Sequence, residues 1–298
     1  MKKIICILLL FIYFQSSDSQ IREWMSPLKF AQIKARSENK LILMAWKRSL
    51  EIPFSAIVKD ENGKDIYIKN LFESPLINEF LWKSFILVEV DDDFYGELME
   101  EIKGKRSQSY VDTFEDDSLK IMDANGNIIG TSGAFTEVLN LSKFVIKYNL
   151  DTSFLKQELI NYDNNKEFYS AFYLASKYVD YSILVNDNVR DEILRLSDVY
   201  FAEAEQFLAE DKNLDNKKAL YQRIKLIRLK QDLIKNKSGK VIRQINKIDL
   251  LEVNEPLKVF LLYTAYRLKN DVENFSVLEK KLSLFNRKLS QSIVDLNR

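Results

Sequence analysis

The chain has 298 residues, of which 46% are hydrophobic and 30% are charged, a composition typical of a globular protein and not of a disordered one. It carries 44 basic and 44 acidic side chains, so its net charge does not indicate a nucleic-acid partner. It has no histidine and one cysteine, Cys6, which excludes a Ser-His-Asp triad, a Cys-His pair and a histidine-ligated metal.

The N-terminus has the pattern of a secretory signal peptide, predicted at residues 1–19. Two lysines precede an apolar run over residues 4–14, which is short for a membrane-spanning helix, and small residues at 17–19 precede the expected cleavage point. An uncleaved membrane anchor is the alternative. Cleavage would remove Cys6, so we expect a periplasmic or extracellular protein without a thiol and without a transmembrane segment.

The length is about twice that of a common domain, and the pattern changes near residue 150. Residues 20–150 mix helix and strand signals, whereas residues 151–298 are helical throughout. In the first part, residues 27–39 predict an amphipathic helix. Continuous apolar runs at 41–46 and 85–90 predict strands that are buried on both faces of a sheet.

Turn and cap residues predict the remaining elements of the first part. Asn62-Gly63 predicts a hairpin, because both residues tolerate positive φ, and residues 123–127 predict a second one. Ser74 and Pro75 predict the start of a helix. The hairpin strands are predicted at 57–58 with 66–68 and at 119–122 with 128–129. Further helices are predicted at 94–103 and 136–148.

Apart from the hairpin predicted at 57–58 and 66–68, the resulting order of elements is helix, strand, helix, strand, helix, strand, strand, helix. With several local strings, this order resembles the thioredoxin-like superfamily, in particular secreted bacterial members, over about residues 24–148. The strings are ENKLIL at 38–43, FESPLINEFL at 72–81, SFILVEVD at 84–91 and IMDANGNII at 121–129. The resemblance implies an α/β domain with a central mixed sheet flanked by helices.

The chain departs from this family where the family carries its chemistry. The family places Cys-x-x-Cys after the first central strand, where a helix N-terminus lowers the thiol pKa. Residues 46–54 match that place and contain no cysteine. The family also has a cis-proline before the strand at Leu119, where this chain has Glu115 to Ser118. We expect trans bonds there, because a cis bond without proline costs about 2.5–4 kcal/mol. Without a thiolate, thiol–disulfide exchange cannot proceed.

In thioredoxin-like proteins, substrates lie against the surface made by these two segments. The resemblance therefore implies that a partner docks there, and aromatic and arginine side chains often carry most of the binding energy of an interface. The alternatives are that the opposite charges of the two segments pair with each other, and that Trp46 is a core residue of its strand. The candidate partner-binding residues are Trp46, Lys47, Arg48, Phe54, Glu115, Asp116 and Asp117.

The second part predicts an all-α bundle of helical hairpins. Apolar residues recur at helical spacing, as in Phe168, Phe172, Ala175 and Val179. The last helix pair, predicted at 257–269 and 272–290, is similar to a tetratricopeptide-type hairpin. The full tetratricopeptide signature is absent, so both a bundle and a repeat array remain open.

Charge is uneven within the second part. Residues 187–211 carry eight acidic and two basic side chains, and residues 212–247 carry twelve basic and two acidic ones. Pairing of the two segments is the favoured interpretation. A patch for phosphate, nucleic acid or anionic lipid is the alternative.

These observations together predict an exported, redox-inactive thioredoxin-like protein that binds a protein or peptide partner in the cell envelope or acts as a scaffold. We expect no cofactor, no catalytic residue, no metal and no nucleic acid. The alternative is a carboxylate-based hydrolase or lyase with a divalent cation. Residues 91–93 and 115–117 could supply oxygen ligands to Ca²⁺, but they lack a spaced calcium-loop pattern.

Overall fold

The computed structural model describes residues 23–60, 62–134, 136–249 and 251–298, so the expected signal peptide and Cys6 lie outside the described residues. The chain forms two compact units. The first comprises the described residues up to Ile102 together with Gln108–Gly126 and Thr131–Asn149. The second comprises Lys103–Ser107, Asn127–Gly130 and Leu150–Arg298.

Both strands and helices form before residue 150. The strands are β1 (Ile42–Trp46), β2 (Ser55–Lys59), β3 (Asp65–Ile68), β4 (Ile86–Val90), β5 (Lys120–Met122), β6 (Ile128–Thr131) and β7 (Val138–Asn140). The helices are α1 (Leu28–Glu38), α2 (Lys47–Leu50), α3 (Pro75–Ser84), α4 (Tyr95–Ile102), α5 (Gln108–Glu115) and α6 (Leu141–Tyr148).

A four-stranded mixed sheet has the strand order β4-β1-β5-β6. Strand β1 pairs parallel to β4 and antiparallel to β5, so that Met44 lies opposite both Val88 and Lys120. Every residue of β1 is buried, as its continuous apolar run predicts. The prediction of a mixed sheet with flanking helices is therefore confirmed.

A second sheet has the order β3-β2-β7 and contains the predicted Asn62-Gly63 hairpin. Gly63 adopts a φ of 79°, which glycine tolerates without strain. The carboxylate of Asp60 accepts hydrogen bonds from the backbone N–H groups of Asn62 and Lys64, at 2.9 and 2.8 Å. These bonds close the turn and align β2 with β3.

Two predictions for the first part need correction. The helix predicted at 136–148 begins only at Leu141, because Val138–Asn140 pairs parallel to β2 and Asn140 caps the helix by accepting from Lys143 N at 3.0 Å. Helix α5 (Gln108–Glu115) was not predicted, so Glu115 ends a helix instead of lying in a loop. The cap of α3 by Ser74 is confirmed, since Ser74 Oγ accepts from Ile77 N.

The second unit is helical, as its apolar periodicity predicts. Phe168, Phe172, Ala175 and Val179 are all buried along one face of a helix. The helices are α7 (Lys156–Asn164), α8 (Phe168–Tyr181), α9 (Asp187–Glu210), α10 (Lys217–Ile234), α11 (Ser238–Ile245), α12 (Glu255–Leu268), α13 (Val272–Glu279) and α14 (Leu284–Leu296).

The helix predicted at 272–290 is wrong, because the chain breaks between α13 and α14. Ser283 caps α14 by accepting a hydrogen bond from Asn286 N at 3.2 Å. The predicted apolar stripe breaks at the same place: Leu282 is buried, whereas Phe285 is 72% exposed.

Two backbone features bear on the sequence predictions. The cis peptide bond in the described part of the chain joins Ser26 and Pro27, so the bonds from Glu115 to Ser118 are trans, as expected. Among the described helices, none is both long and apolar enough to cross a membrane.

Candidate functional site

The first unit contains a cleft of about 390 Å³ between three chain segments. The segment after β1 and the segment after α5 form two of its walls, and the segment after β6 forms the third. We call this the first-unit cleft. Its lining residues are Ser49, Ile52, Phe54, Asp116, Asp117, Ser118, Gly133, Ala134 and Thr136. The two segments expected to make one surface therefore do lie together.

The first wall combines an exposed aliphatic side chain with an anchored aromatic one. Ile52 is 62% exposed. Phe54 is half-buried, and its ring packs against Phe72 with the centroids 6.0 Å apart. Its backbone is held on both sides, because Phe54 N donates to Asn70 Oδ1 at 3.3 Å and Phe54 O accepts from Leu71 N at 2.8 Å. This wall is therefore apolar and fixed in position.

The second wall is organised by Asp116. One carboxylate oxygen, Oδ1, accepts from Ser118 N at 2.9 Å, from Ser118 Oγ and from Lys120 Nζ at 2.9 Å. Lys120 has no exposed surface and also donates to Ser118 O at 2.8 Å. The wall is thus tied to strand β5, which lies in the central sheet.

The pKa values of this pair follow from their surroundings. Burial by itself would raise the pKa of Asp116, but the hydrogen bonds from Ser118 and Lys120 outweigh it and hold the pKa below its ordinary value. Burial lowers the pKa of Lys120, and the charge of Asp116 opposes part of that shift. Asp116 is therefore ionised and compensated near neutral pH.

Asp117 supplies the exposed negative charge of the cleft, and the ammonium of Lys120 lies near enough to interact with it electrostatically. The Asp117 side chain is exposed, and no hydrogen bond or ion pair holds its carboxylate among the described residues. Ser49 Oγ on the opposite wall is a buried hydroxyl without a hydrogen-bond partner in the described part of the chain. The cleft thus offers an apolar wall and one exposed anionic group to a ligand.

Trp46 is not part of the cleft surface. It is 6% exposed, and its indole Nε1 donates to Phe114 O at 3.1 Å. Its ring meets Phe114 edge-on at 5.2 Å between centroids and lies 5.7 Å from Tyr95. The alternative that Trp46 is a core residue of its strand is therefore the one that fits.

The alternative that the opposite charges of the two segments pair with each other is wrong. Lys47 pairs with Asp91 at 3.5 Å and Arg48 pairs with Asp92 at 3.1 Å, instead of with residues 115–117. The cause is the register of the parallel strands, because Trp46 lies opposite Val90 and the residues that follow both strands meet at one edge. Each exposed pair contributes only about 0–1 kcal/mol.

Glu115 points to a different neighbour from the one predicted. It accepts a hydrogen bond from the Tyr95 hydroxyl at 2.6 Å, and this bond raises the pKa of Tyr95 to about 12. In the described residues, no group of three or more acidic side chains is placed to hold a metal ion.

Sequence reasoning missed the third wall and the ion pair beneath the second. Gly133, Ala134 and Thr136 follow a short strand and carry no pattern that indicates a binding surface. The ion pair of Lys120 was predictable in part. A lysine between Leu119 and Ile121 interrupts an apolar strand, and a buried lysine needs an acidic side chain nearby.

Comparisons with protein-family models, with curated proteins and with solved structures found no match to this chain.

Proposed function

We propose that the chain is an exported, redox-inactive thioredoxin-like protein whose first unit binds an extended peptide segment of a partner protein in the first-unit cleft. One observation carries the proposal: the segments that match the family's redox loop and cis-proline loop, residues 46–54 and 115–118, line one open cleft. The mixed sheet with flanking helices supports the thioredoxin-like assignment.

The lining of the cleft suits binding better than catalysis. Ile52 and Phe54 offer apolar contact area to a ligand side chain. The carboxylate of Asp116 is committed to Lys120 and Ser118. The alternative of a carboxylate-based hydrolase or lyase with a divalent cation has less support for that reason.

The exposed carboxylate of Asp117 selects the chemistry of the peptide. A lysine or arginine next to an apolar side chain would place a cation near Asp117 while the apolar group covers the wall formed by Ile52 and Phe54. The expected ligand is therefore a segment in which a basic and an apolar residue are close together. Charge complementarity of this kind contributes mainly to specificity and to the association rate.

A displayed peptide library selected on the purified chain tests the proposal. We expect enrichment of peptides that combine apolar and basic residues. Ile52→Ser should weaken the selected peptide, and the matched control Ile146→Ser, at an exposed position on α6, should not. Similarly, Asp117→Asn should weaken binding and the control Asp93→Asn should not. Equal effects of each variant and its control would contradict the cleft as the binding site.

Export and redox inactivity have separate tests. The pattern of residues 1–19 supports cleavage before Gln20, and intact-mass measurement of protein from envelope extract should show the loss of these residues. A retained Met1 would contradict export by this route. The absence of cysteine after Cys6 predicts that the cleaved protein reduces insulin no faster than a control without protein.

A further inference from the structure

The second unit contains a groove of about 420 Å³ between helices α10 and α11 and the residues after α11. We call this the second-unit groove. Its lining residues are Lys225, Arg228, Leu229, Asp232, Lys240, Gln244, Lys247 and Ile248. Four of these carry a positive charge and one carries a negative charge.

Helical spacing explains why these charges converge. Lys225, Leu229 and Asp232 follow one another at intervals of four and three residues along α10, so they share one face. Lys240, Gln244 and Lys247 have the same spacing at α11 and directly after it. Two facing stripes therefore bring their side chains to a single groove.

Acidic neighbours compensate only two of the four cations. Arg228 holds Glu205 with two hydrogen bonds of 2.6 and 3.1 Å, and Lys240 pairs with Asp232 at 2.8 Å. Lys225 and Lys247 are exposed, and neither makes an ion pair or a hydrogen bond among the described residues. The groove thus retains two uncompensated positive charges.

Helix α9 neutralises part of the basic segment at residues 212–247. Arg228 pairs with Glu205 of α9, and Lys235 pairs with Asp191 of α9 at 3.0 Å. The favoured interpretation of pairing between adjacent segments therefore accounts for these cations. It does not account for Lys225 and Lys247, which face the groove instead of α9.

The apolar floor of the second-unit groove distinguishes between the possible classes of anionic ligand. Leu229 is buried at its base and Ile248 is half-buried beside it. A phosphate chain or a nucleic-acid backbone would leave the accessible apolar surface of Ile248 uncovered. An acidic peptide with an apolar side chain would cover Ile248 and would also contact the two lysines, and Gln244 could form a hydrogen bond with the peptide backbone.

We propose that the second-unit groove binds an acidic segment of a partner protein, in which aspartate or glutamate residues flank a leucine or phenylalanine. The apolar side chain lies on Leu229 and Ile248, and the flanking carboxylates pair with Lys225 and Lys247. The proposal is independent of the first-unit cleft, which would bind a peptide of opposite charge.

Fluorescence anisotropy of a labelled acetyl-Glu-Glu-Leu-Phe-Glu-Asp-amide peptide with the full chain tests this proposal. We expect Lys225→Glu and Lys247→Glu each to raise the Kd by about tenfold. Arg223→Glu makes the same charge change on the same helix, two residues and about 200° away from Lys225, and should leave the Kd within about twofold. If Arg223→Glu weakens the peptide as much as Lys225→Glu, the effect is general electrostatics and the proposal fails.

Further arms of the experiment distinguish the ligand class. A peptide with serine in place of leucine and phenylalanine should bind about tenfold more weakly, because it cannot use the apolar floor. Tighter binding of polyphosphate or of anionic phosphatidylglycerol vesicles than of the peptide would overturn the assignment. Circular-dichroism melting curves identify any variant that is not folded, and Lys225→Ala with Lys247→Ala then replaces it.

Discussion

The buried ammonium of Lys120 is held by the Asp116 carboxylate, with 2.9 Å between Nζ and Oδ1. Lys120 lies on β5 opposite Met44 of the fully buried strand β1, so its backbone is part of the central sheet. Its other acceptors are the backbone carbonyls of Asp116 and Ser118. The pair therefore links the sheet to the wall of the first-unit cleft.

The two partners of this ion pair should differ in their contribution to stability. Asp116→Ala leaves a buried ammonium without its counter-ion and should cost about 2–3 kcal/mol of unfolding free energy, less than for a fully buried pair because Asp116 is partly exposed. Lys120→Met leaves a carboxylate that water can reach and should cost less than about 1 kcal/mol. Urea unfolding of both variants checks the order, and equal losses would contradict it.

The lowered pKa of Asp116 predicts a pH dependence. Because the folded chain holds this carboxylate ionised more strongly than the unfolded chain does, the unfolded chain binds more protons at acid pH. The contribution of Asp116 is therefore complete above the ordinary aspartate pKa and is lost as pH falls through the lower, folded value. Asp116→Asn removes this contribution, so its unfolding free energy should fall less than that of the wild type between about pH 5 and about pH 2.5.

A neighbouring substitution provides the control for that measurement. Asp117→Asn removes an adjacent carboxylate that makes no hydrogen bond or ion pair among the described residues. Because the ion pair between Asp116 and Lys120 stays in place in this variant, its unfolding free energy should still fall between about pH 5 and about pH 2.5. A flattened slope in both variants would show that the dependence does not arise from the pair with Lys120.

Local signals in the sequence predicted the elements that depend on local chemistry. The apolar run of β1, the Asn62-Gly63 hairpin and the Ser74 cap each follow from neighbouring residues. Features set by register were not predictable in the same way. Lys47 meets Asp91 only because β1 and β4 run parallel with Trp46 opposite Val90.

Competition between two structures explains the misplaced helix at 136–148. Val138 and Leu139 fit a helical apolar pattern equally well, but their backbone groups complete the ladder of β2. The pairing depends on residues about eighty positions earlier in the chain, which a local pattern does not contain. For the candidate site, the family resemblance indicated the two walls at residues 46–54 and 115–118. No sequence pattern indicated the third wall, which follows β6.

Trp46 should matter for stability and not for direct binding. Trp46→Phe keeps the packing against Phe114 and Tyr95 but leaves Phe114 O without its donor, so we expect a loss of about 1–3 kcal/mol. Arg48→Ala removes an exposed pair and should change stability by less than about 1 kcal/mol. Thermal unfolding measures both. A Trp46→Phe protein as stable as wild type would contradict the core role.

Filling the first-unit cleft should block binding without unfolding the protein. Ala134 is an exposed residue of the third wall, so Ala134→Trp would place an indole in the cleft volume of about 390 Å³. No buried group is displaced, and surface substitutions of this kind usually change stability by less than about 0.5 kcal/mol. We expect peptides selected on the wild-type chain to lose binding to this variant, measured by anisotropy. Ala134→Ser is the matched control and should bind them normally. A folded Ala134→Trp protein that binds the same peptides with unchanged Kd would show that they lie elsewhere on the first unit.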